Sequence, residues 1–114
     1  MKYGNETIYE HKEDIGTMDF EAIYQSKLTT ATEAAKVIQS GDWVDYGWTV
    51  TTPVAVDREL AKRMKDLTDV NFRGGILMWE PEIFKIENPW EHFSWNSWHM
   101  SGIERKAAAK GFAF

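Results

Sequence analysis

Two stretches of this sequence gather the side chains best suited to hold a small molecule. One is Gly47–Pro53, GWTVTTP, and the other is Asn96–Gly102, NSWHMSG. The candidate site residues are Gly47, Trp48, Thr49, Val50, Thr51 and Pro53 in the first, with Asn96 and His99 in the second. Together they offer an aromatic wall and several neutral hydrogen-bonding groups. That set suits a small acyl or carboxylate group better than a polyphosphate. Trp48, Trp95 and Trp98 also read as plain core or subunit-interface aromatics, and the pattern leaves both readings open.

Other chemistries find less support. His92 and His99 lie seven apart on one expected strand and so point to opposite faces. They cannot share an ion without a bulge, and a metal site usually needs three convergent ligands. Ser94, Ser97 and Ser101 lie near His99, but no G-x-S-x-G nucleophile elbow is present. Ser101 reads more simply as a helix cap. Gly74–Gly75 lacks the third glycine and the following helix of a dinucleotide fingerprint. Glu80, Glu82 and Glu87 flank prolines in a polar loop and read as solvated charges.

The elements that must position the two turns follow from periodicity. Trp43–Tyr46 forms a strand that Gly47 breaks, with Thr52 as N-cap and Pro53 as the first residue of a helix over 53–67. Val56, Leu60, Met64 and Leu67 give that helix a buried stripe. Asp57, Arg58, Lys62, Arg63 and Lys65 fall mainly off the stripe and read as a solvated face. Upstream, 19–27 is a short helix, and 30–41 is a helix opened by Thr30 and Glu33 and stopped by Gly41. Downstream, 70–79 and 92–100 read as strands. The glycines inside the first mark a bulge or a close approach. Ser101 and Glu104 have capping-box spacing before a last helix to Lys110, and Phe112–Phe114 reads as the start of another strand. This order predicts an α/β fold with an open, mainly parallel sheet and flanking helices. Parallel strands bring both turns to one sheet edge, where free backbone N–H groups meet ligands.

Composition bounds the partners. The 114 residues suffice for one small domain with a core. A formal net charge of -5 argues against sequence-independent nucleic-acid binding. Without cysteine the chain has no disulfide, thiolate metal site or cysteine nucleophile, which fits a reducing cytoplasm. No apolar run approaches a membrane span, so no membrane partner is expected. Met1–Thr17 is polar without period and reads as an arm or extension.

The residues also carry a resemblance. SGDWVDYGW at 40–48, Thr52–Pro53, RGGIL at 73–77, PEIFK at 81–85 and HFSWNSWHMSGIERK at 92–106 resemble the N-terminal part of butyryl-CoA:acetate CoA-transferases. That group sits within the acetyl-CoA hydrolase/transferase and 4-hydroxybutyrate CoA-transferase family. The resemblance runs from about residue 18 to the end of the chain. It implies one part of an open α/β half of NagB/RpiA-like type, and a cytoplasmic homo-oligomer. It implies transfer of CoA between a short-chain acyl-CoA and a carboxylate such as acetate. Coenzyme A is then a substrate, and no separate cofactor is expected. A glutamate nucleophile acts by ping-pong steps through a glutamyl-CoA thioester. In the family that glutamate lies in the C-terminal half, so no catalytic residue maps onto this chain and its partner is that missing half. The loop Gly47–Pro53 lies beside the family's acyl pocket, and Val50–Thr51 here departs from the small residue and glycine or glutamate common in relatives. Two other readings remain. A Trp-rich non-enzymatic module predicts several indoles in one groove. A sugar-phosphate isomerase or deaminase predicts cations at the turn, and the turn has none.

Overall fold

The computed structural model describes residues 18–114, so the expected arm Met1–Thr17 lies outside the described residues. Three parallel strands form the sheet in the order β1-β2-β3: β1 is Trp43–Trp48, β2 Val70–Gly75 and β3 Phe93–Ser97. Among the described residues four α-helices accompany them: α1 Phe20–Lys27, α2 Ala31–Lys36, α3 Val54–Arg63 and α4 Gly102–Ala109. The α/β open parallel sheet is thus present as expected. Residues 112–114 add a parallel bridge beside β3. The Trp95 N–H donates to the Phe112 carbonyl at 2.7 Å, and the Phe114 N–H donates to the Trp95 carbonyl at 2.8 Å.

Alternation divides the sheet into two unlike faces. Tyr46, Phe72 and Trp95 point to one face, where they are buried with Leu60 and Met64 of the α3 segment and Ala107 of α4. Their rings meet edge-on, Tyr46 to Phe72 at 5.1 Å and Tyr46 to Trp95 at 5.6 Å. The stripe Leu60, Met64 and Leu67 is buried as the periodicity implied, with Val56 partly so. The other face carries Trp43, Asp45, Asn71, Arg73, Ser94 and Asn96, of which Trp43, Asp45 and Arg73 are exposed and the rest half-buried.

Several boundaries differ from expectation, each for a local reason. The helix expected to reach Gly41 ends at Lys36, because the Gln39 N–H donates to the Asp42 carboxylate at 2.8 Å in a competing turn. Thr52 does not cap α3. Its hydroxyl donates to the Thr49 carbonyl, and Pro53 holds the cap position. The regular α3 helix stops at Arg63, and Met64–Asp66 continues it as a 3-10 turn. β2 ends at Gly75 rather than Trp79, because Ile76 turns left-handed at φ 47 and its N–H donates to the His99 carbonyl. β3 spans only Phe93–Ser97, so neither His92 nor His99 lies in the strand and the opposite-faces argument does not apply. His92 flanks it instead, with Nδ1 2.9 Å from the Leu67 carbonyl.

The largest correction concerns charge. Asp57 does not belong to a solvated face: it is buried and accepts from Tyr46 Oη at 3.1 Å and from the Glu82 N–H at 2.7 Å. It thereby fastens the 3-10 turn Glu82–Lys85 to α3. Arg63 is also engaged, donating through Nη1 to the carbonyls of Ala35 and Ile38 at 2.6 and 2.7 Å and tying α2 to α3.

Candidate functional site

The site begins with a break in strand register. Trp43, Val44 and Asp45 pair with Asn71, Phe72 and Arg73, but Trp48 pairs with Gly75 rather than Ile76. One extra residue is thus taken up in β1, a bulge between Asp45 and Trp48. Gly47 supplies the conformation at φ 72, and a β-carbon there would meet Thr51 Oγ1 at 2.5 Å. The Asp45 carboxylate accepts the Gly47 N–H at 2.7 Å and fixes the bulge. That bond, with the Arg73 guanidinium beside it, holds the Asp45 carboxyl below the usual carboxylate range.

The bulge reverses the side chain that follows. Plain alternation would send Trp48 to the helix-covered face with Tyr46. Instead its ring lies over Gly75, where a β-carbon would stand 2.5 Å from the indole. Gly74 does the same on the other side, where a β-carbon would meet the Trp95 ring at 2.9 Å. The adjacent glycines therefore admit two indoles, one from each face. Sequence reasoning marked the pair as unusual, and glycines between two Trp-bearing strands were the available signal.

At the carboxyl ends of the strands the two expected turns meet. The Trp48 ring lies 5.7 Å from that of Trp98 and 5.6 Å from that of His99. Arg73 stacks over Trp98 at 5.4 Å and pairs with Asp45 at 2.9 Å. Trp48 and Asn96 share one face of the sheet rather than opposing sides. Asn96 lies within β3 rather than in the turn, and its amide donates to the Phe72 carbonyl at 3.0 Å. Thr51 Oγ1 closes its own loop, accepting from the Trp48 N–H and donating to the Trp48 carbonyl, each at 2.7 Å. Val50 is exposed at the tip, and Thr49 takes a left-handed φ of 50. The loop after β2 joins the same rim through Ile76, another β-branched residue in the left-handed region, where such residues are rare.

A second cluster supports the rim from beneath. Glu104 of α4 is fully buried and accepts four bonds, from Trp95 Nε1, Ser97 Oγ and the N–H groups of Ser101 and Leu77. Burial alone would raise its pKa, but the four donors outweigh it and hold the carboxyl below its usual range. Ser101 and Glu104 occupy the expected cap positions, and the carboxylate's reach into the core was not foreseen. Asp57 shows the opposite balance: burial raises its pKa and its three donors only partly offset that. Tyr46 beside it stays neutral, pushed far up by burial and by the neighbouring Asp57 charge.

An all-parallel sheet whose strand ends gather an aromatic rim beside the Arg73–Asp45 pair defines an open-sheet α/β protein. Residues 12–113 match the acetyl-CoA hydrolase/transferase N-terminal domain, and the chain belongs to that family. It is 59% identical over 97 residues to a butyryl-CoA:acetate CoA-transferase of Anaerostipes caccae, covering 85% of this chain and 22% of that protein. It is 42% identical over 91 residues to a probable butyrate:acetyl-CoA coenzyme A-transferase of Syntrophomonas wolfei, covering 80% of this chain and 20% of that protein. A succinyl-CoA:cyclohexane-1-carboxylate CoA transferase of Geobacter metallireducens is 32% identical over 94 residues, or 82% of this chain and 21% of the relative. The chain thus spans about a fifth of the length of the curated relatives it matches. Among solved structures, a phenylalanine-to-methionine mutant of RipA superposes with a TM-score of 0.66 at 25% identity, over 82% of this chain and 22% of the other. No helix among the described residues is long and apolar enough to cross a membrane.

Proposed function

We propose that this chain forms the N-terminal part of a CoA-transferase that moves CoA between a short-chain acyl-CoA and acetate. Its contribution is one wall of the acyl pocket. The observation that carries this reading is the Trp48–Trp98–His99 cluster at the sheet's carboxyl edge, in a chain 59% identical to a transferase of that kind. The aromatic rings offer an apolar surface to a short acyl chain, and Trp98 and His99 retain polar edges for its carboxylate end. Gly47 and Pro53 set the course of the Trp48–Thr51 loop that carries this wall.

The reacting group belongs to polypeptide outside this chain. In the proposed reaction a glutamate oxygen there attacks the thioester carbonyl and expels the CoA thiolate, giving a mixed anhydride. The thiolate then attacks the glutamyl carbonyl, releasing the first carboxylate and leaving a glutamyl-CoA thioester. Attack by acetate on that thioester frees the thiolate again, and its return to the acetyl carbonyl yields acetyl-CoA and the free glutamate. The test uses the full-length protein carrying this chain. Borohydride after butyryl-CoA should inactivate it irreversibly by reducing the thioester, and acetate added beforehand should protect. Full activity after both reagents would overturn the reading.

A further inference from the structure

A single carboxylate ties the two halves of the aromatic rim together. Asp45 of β1 is the register partner of Arg73 in β2. Its Oδ1 accepts the Gly47 N–H at 2.7 Å, inside the bulge that brings the Trp48 ring over Gly75. A side-chain bond of this kind, to the N–H two residues on, shapes the backbone that follows. Its Oδ2 accepts from Arg73 Nε at 2.9 Å. The guanidinium so held stands 5.4 Å from the centre of the Trp98 ring, within cation–π range. Trp98 in turn lies 5.7 Å from Trp48. The contacts close a circuit: from Asp45 through Gly47 to Trp48, across to Trp98, and back through Arg73. Both bonds of the carboxylate are charge-assisted and directional.

The indoles have little else to set their orientation. Trp98 exposes 57% of its surface. Its backbone N–H is tied to the Gly74 carbonyl at 2.9 Å, but the aromatic and cationic groups that meet its ring among the described residues are Trp48 and Arg73. The Asp45 and Arg73 side chains are themselves 42% and 49% exposed, so their ion pair adds little to stability. What it supplies is direction. We propose that Asp45 is the positioning residue of the rim: it sets the spacing and tilt of Trp48 against Trp98, and through them the length of acyl chain that the wall accepts. This inference rests on the reading of the rim as one wall of the acyl pocket, and adds the group that shapes that wall. Asp45 acts through the two indoles and takes no part in bond making. An apolar pocket discriminates between chains by the fit of single methylenes, so a displaced indole alters selectivity rather than the chemical step.

The test compares the full-length protein carrying this chain with its Asp45→Asn, Arg73→Gln and double variants. Asparagine keeps an oxygen for the Gly47 N–H and turns an NH2 toward Arg73, so either single change ends the hold of Arg73 on Trp98. The ratio of kcat/KM for butyryl-CoA over hexanoyl-CoA should shift by about fivefold or more in each. With saturating butyryl-CoA, kcat should stay within about twofold of the parent, because the effect falls on binding. Near-UV circular dichroism difference spectra should lose the same tryptophan component in all three. The double variant should shift the ratio no further than the singles, because both act on one joint. Glu33→Gln, which breaks an exposed ion pair with Lys36 on α2, should leave ratio and spectrum unchanged. An unaltered spectrum in Asp45→Asn would overturn the proposal. So would an altered spectrum with an unaltered ratio, or additive shifts in the double variant. Should Asp45→Asn not fold, Arg73→Gln decides the same points. A parent protein that transfers no CoA refutes the transferase reading, and the spectra alone then decide whether Asp45 positions the indoles.

Discussion

Replacing Glu104 by glutamine keeps the side chain's size and removes one acceptor oxygen. Oε1 accepts from Trp95 Nε1 at 3.0 Å and Ser97 Oγ at 2.6 Å, and Oε2 from Ser101 N at 2.7 Å and Leu77 N at 3.2 Å. An amide must turn its NH2 toward one of these pairs. Facing Ser101 and Leu77, it meets two N–H donors and no acceptor. Facing the other pair, it meets a Ser97 hydroxyl that can accept and a Trp95 indole that cannot. Either way at least one buried donor is orphaned, at about 1–3 kcal/mol, and the surviving bonds lose their charge assistance. We expect a loss of about 3 kcal/mol for Glu104→Gln, and about 3–5 kcal/mol for Glu104→Ala, which orphans all four donors. At about 4–8 °C per kcal/mol for a domain of this size, Glu104→Gln lowers Tm by roughly 12–24 °C. The pH dependence follows from the depressed carboxyl. A depressed folded pKa gives stability that is present above the unfolded value of 4.5 and lost as pH falls through the folded one. Thermal unfolding followed by near-UV circular dichroism should show the full gap at pH 7 and a narrowing gap below about pH 4. A gap under about 1 kcal/mol at pH 7, or one that persists unchanged in acid, would refute the reasoning.

Two further substitutions probe the rim and its anchor. Gly75→Ala places a β-carbon 2.5 Å from the Trp48 ring, so the indole must move, at about 1–3 kcal/mol. The near-UV signal of the Trp48–Trp98 pair should collapse, and an unchanged spectrum would show that Trp48 does not lie over Gly75. Asp57→Asn tests the raised carboxyl, where burial outweighs the donors. A raised folded pKa gives stability that is present below the unfolded 3.8 and lost as pH rises through the folded value. The variant should therefore gain on the parent between mildly acid and neutral pH in denaturant melts, and parallel curves would contradict that balance.

The strand-turn-helix order was legible because apolar period and turn residues agree on it. The placement of charge was not. Asp57 lies three and seven residues before Leu60 and Met64, on their side of α3, yet a carboxylate normally signals exposure. Only the tertiary arrival of Tyr46 and of the Glu82 backbone makes its burial tolerable. Glu104 was readable as a cap and not as the centre of a buried network, because Trp95 and Ser97 reach it from another element.

The rim shows the same limit most sharply. Gly47, Trp48 and Gly74–Gly75 were each conspicuous, and parallel strands correctly brought the two turns to one edge. Strict alternation nevertheless puts Trp48 beside Tyr46 on the helix-covered face, where the Trp95 ring already stands against Gly74. A single inserted residue moves that indole to the other face, and the space left by Gly75 lets it lie flat there. Gly47 and Gly75 therefore act as one device across two strands. A β-carbon at Gly75 meets the Trp48 ring, and one at Gly47 meets Thr51 Oγ1, which bonds the Trp48 backbone, so substitutions at these two glycines should be non-additive, the double variant costing less than the sum of the singles. Strict additivity in chemical denaturation would mean that the bulge and the glycine gap work separately, and that Trp48 reaches that face for some other reason.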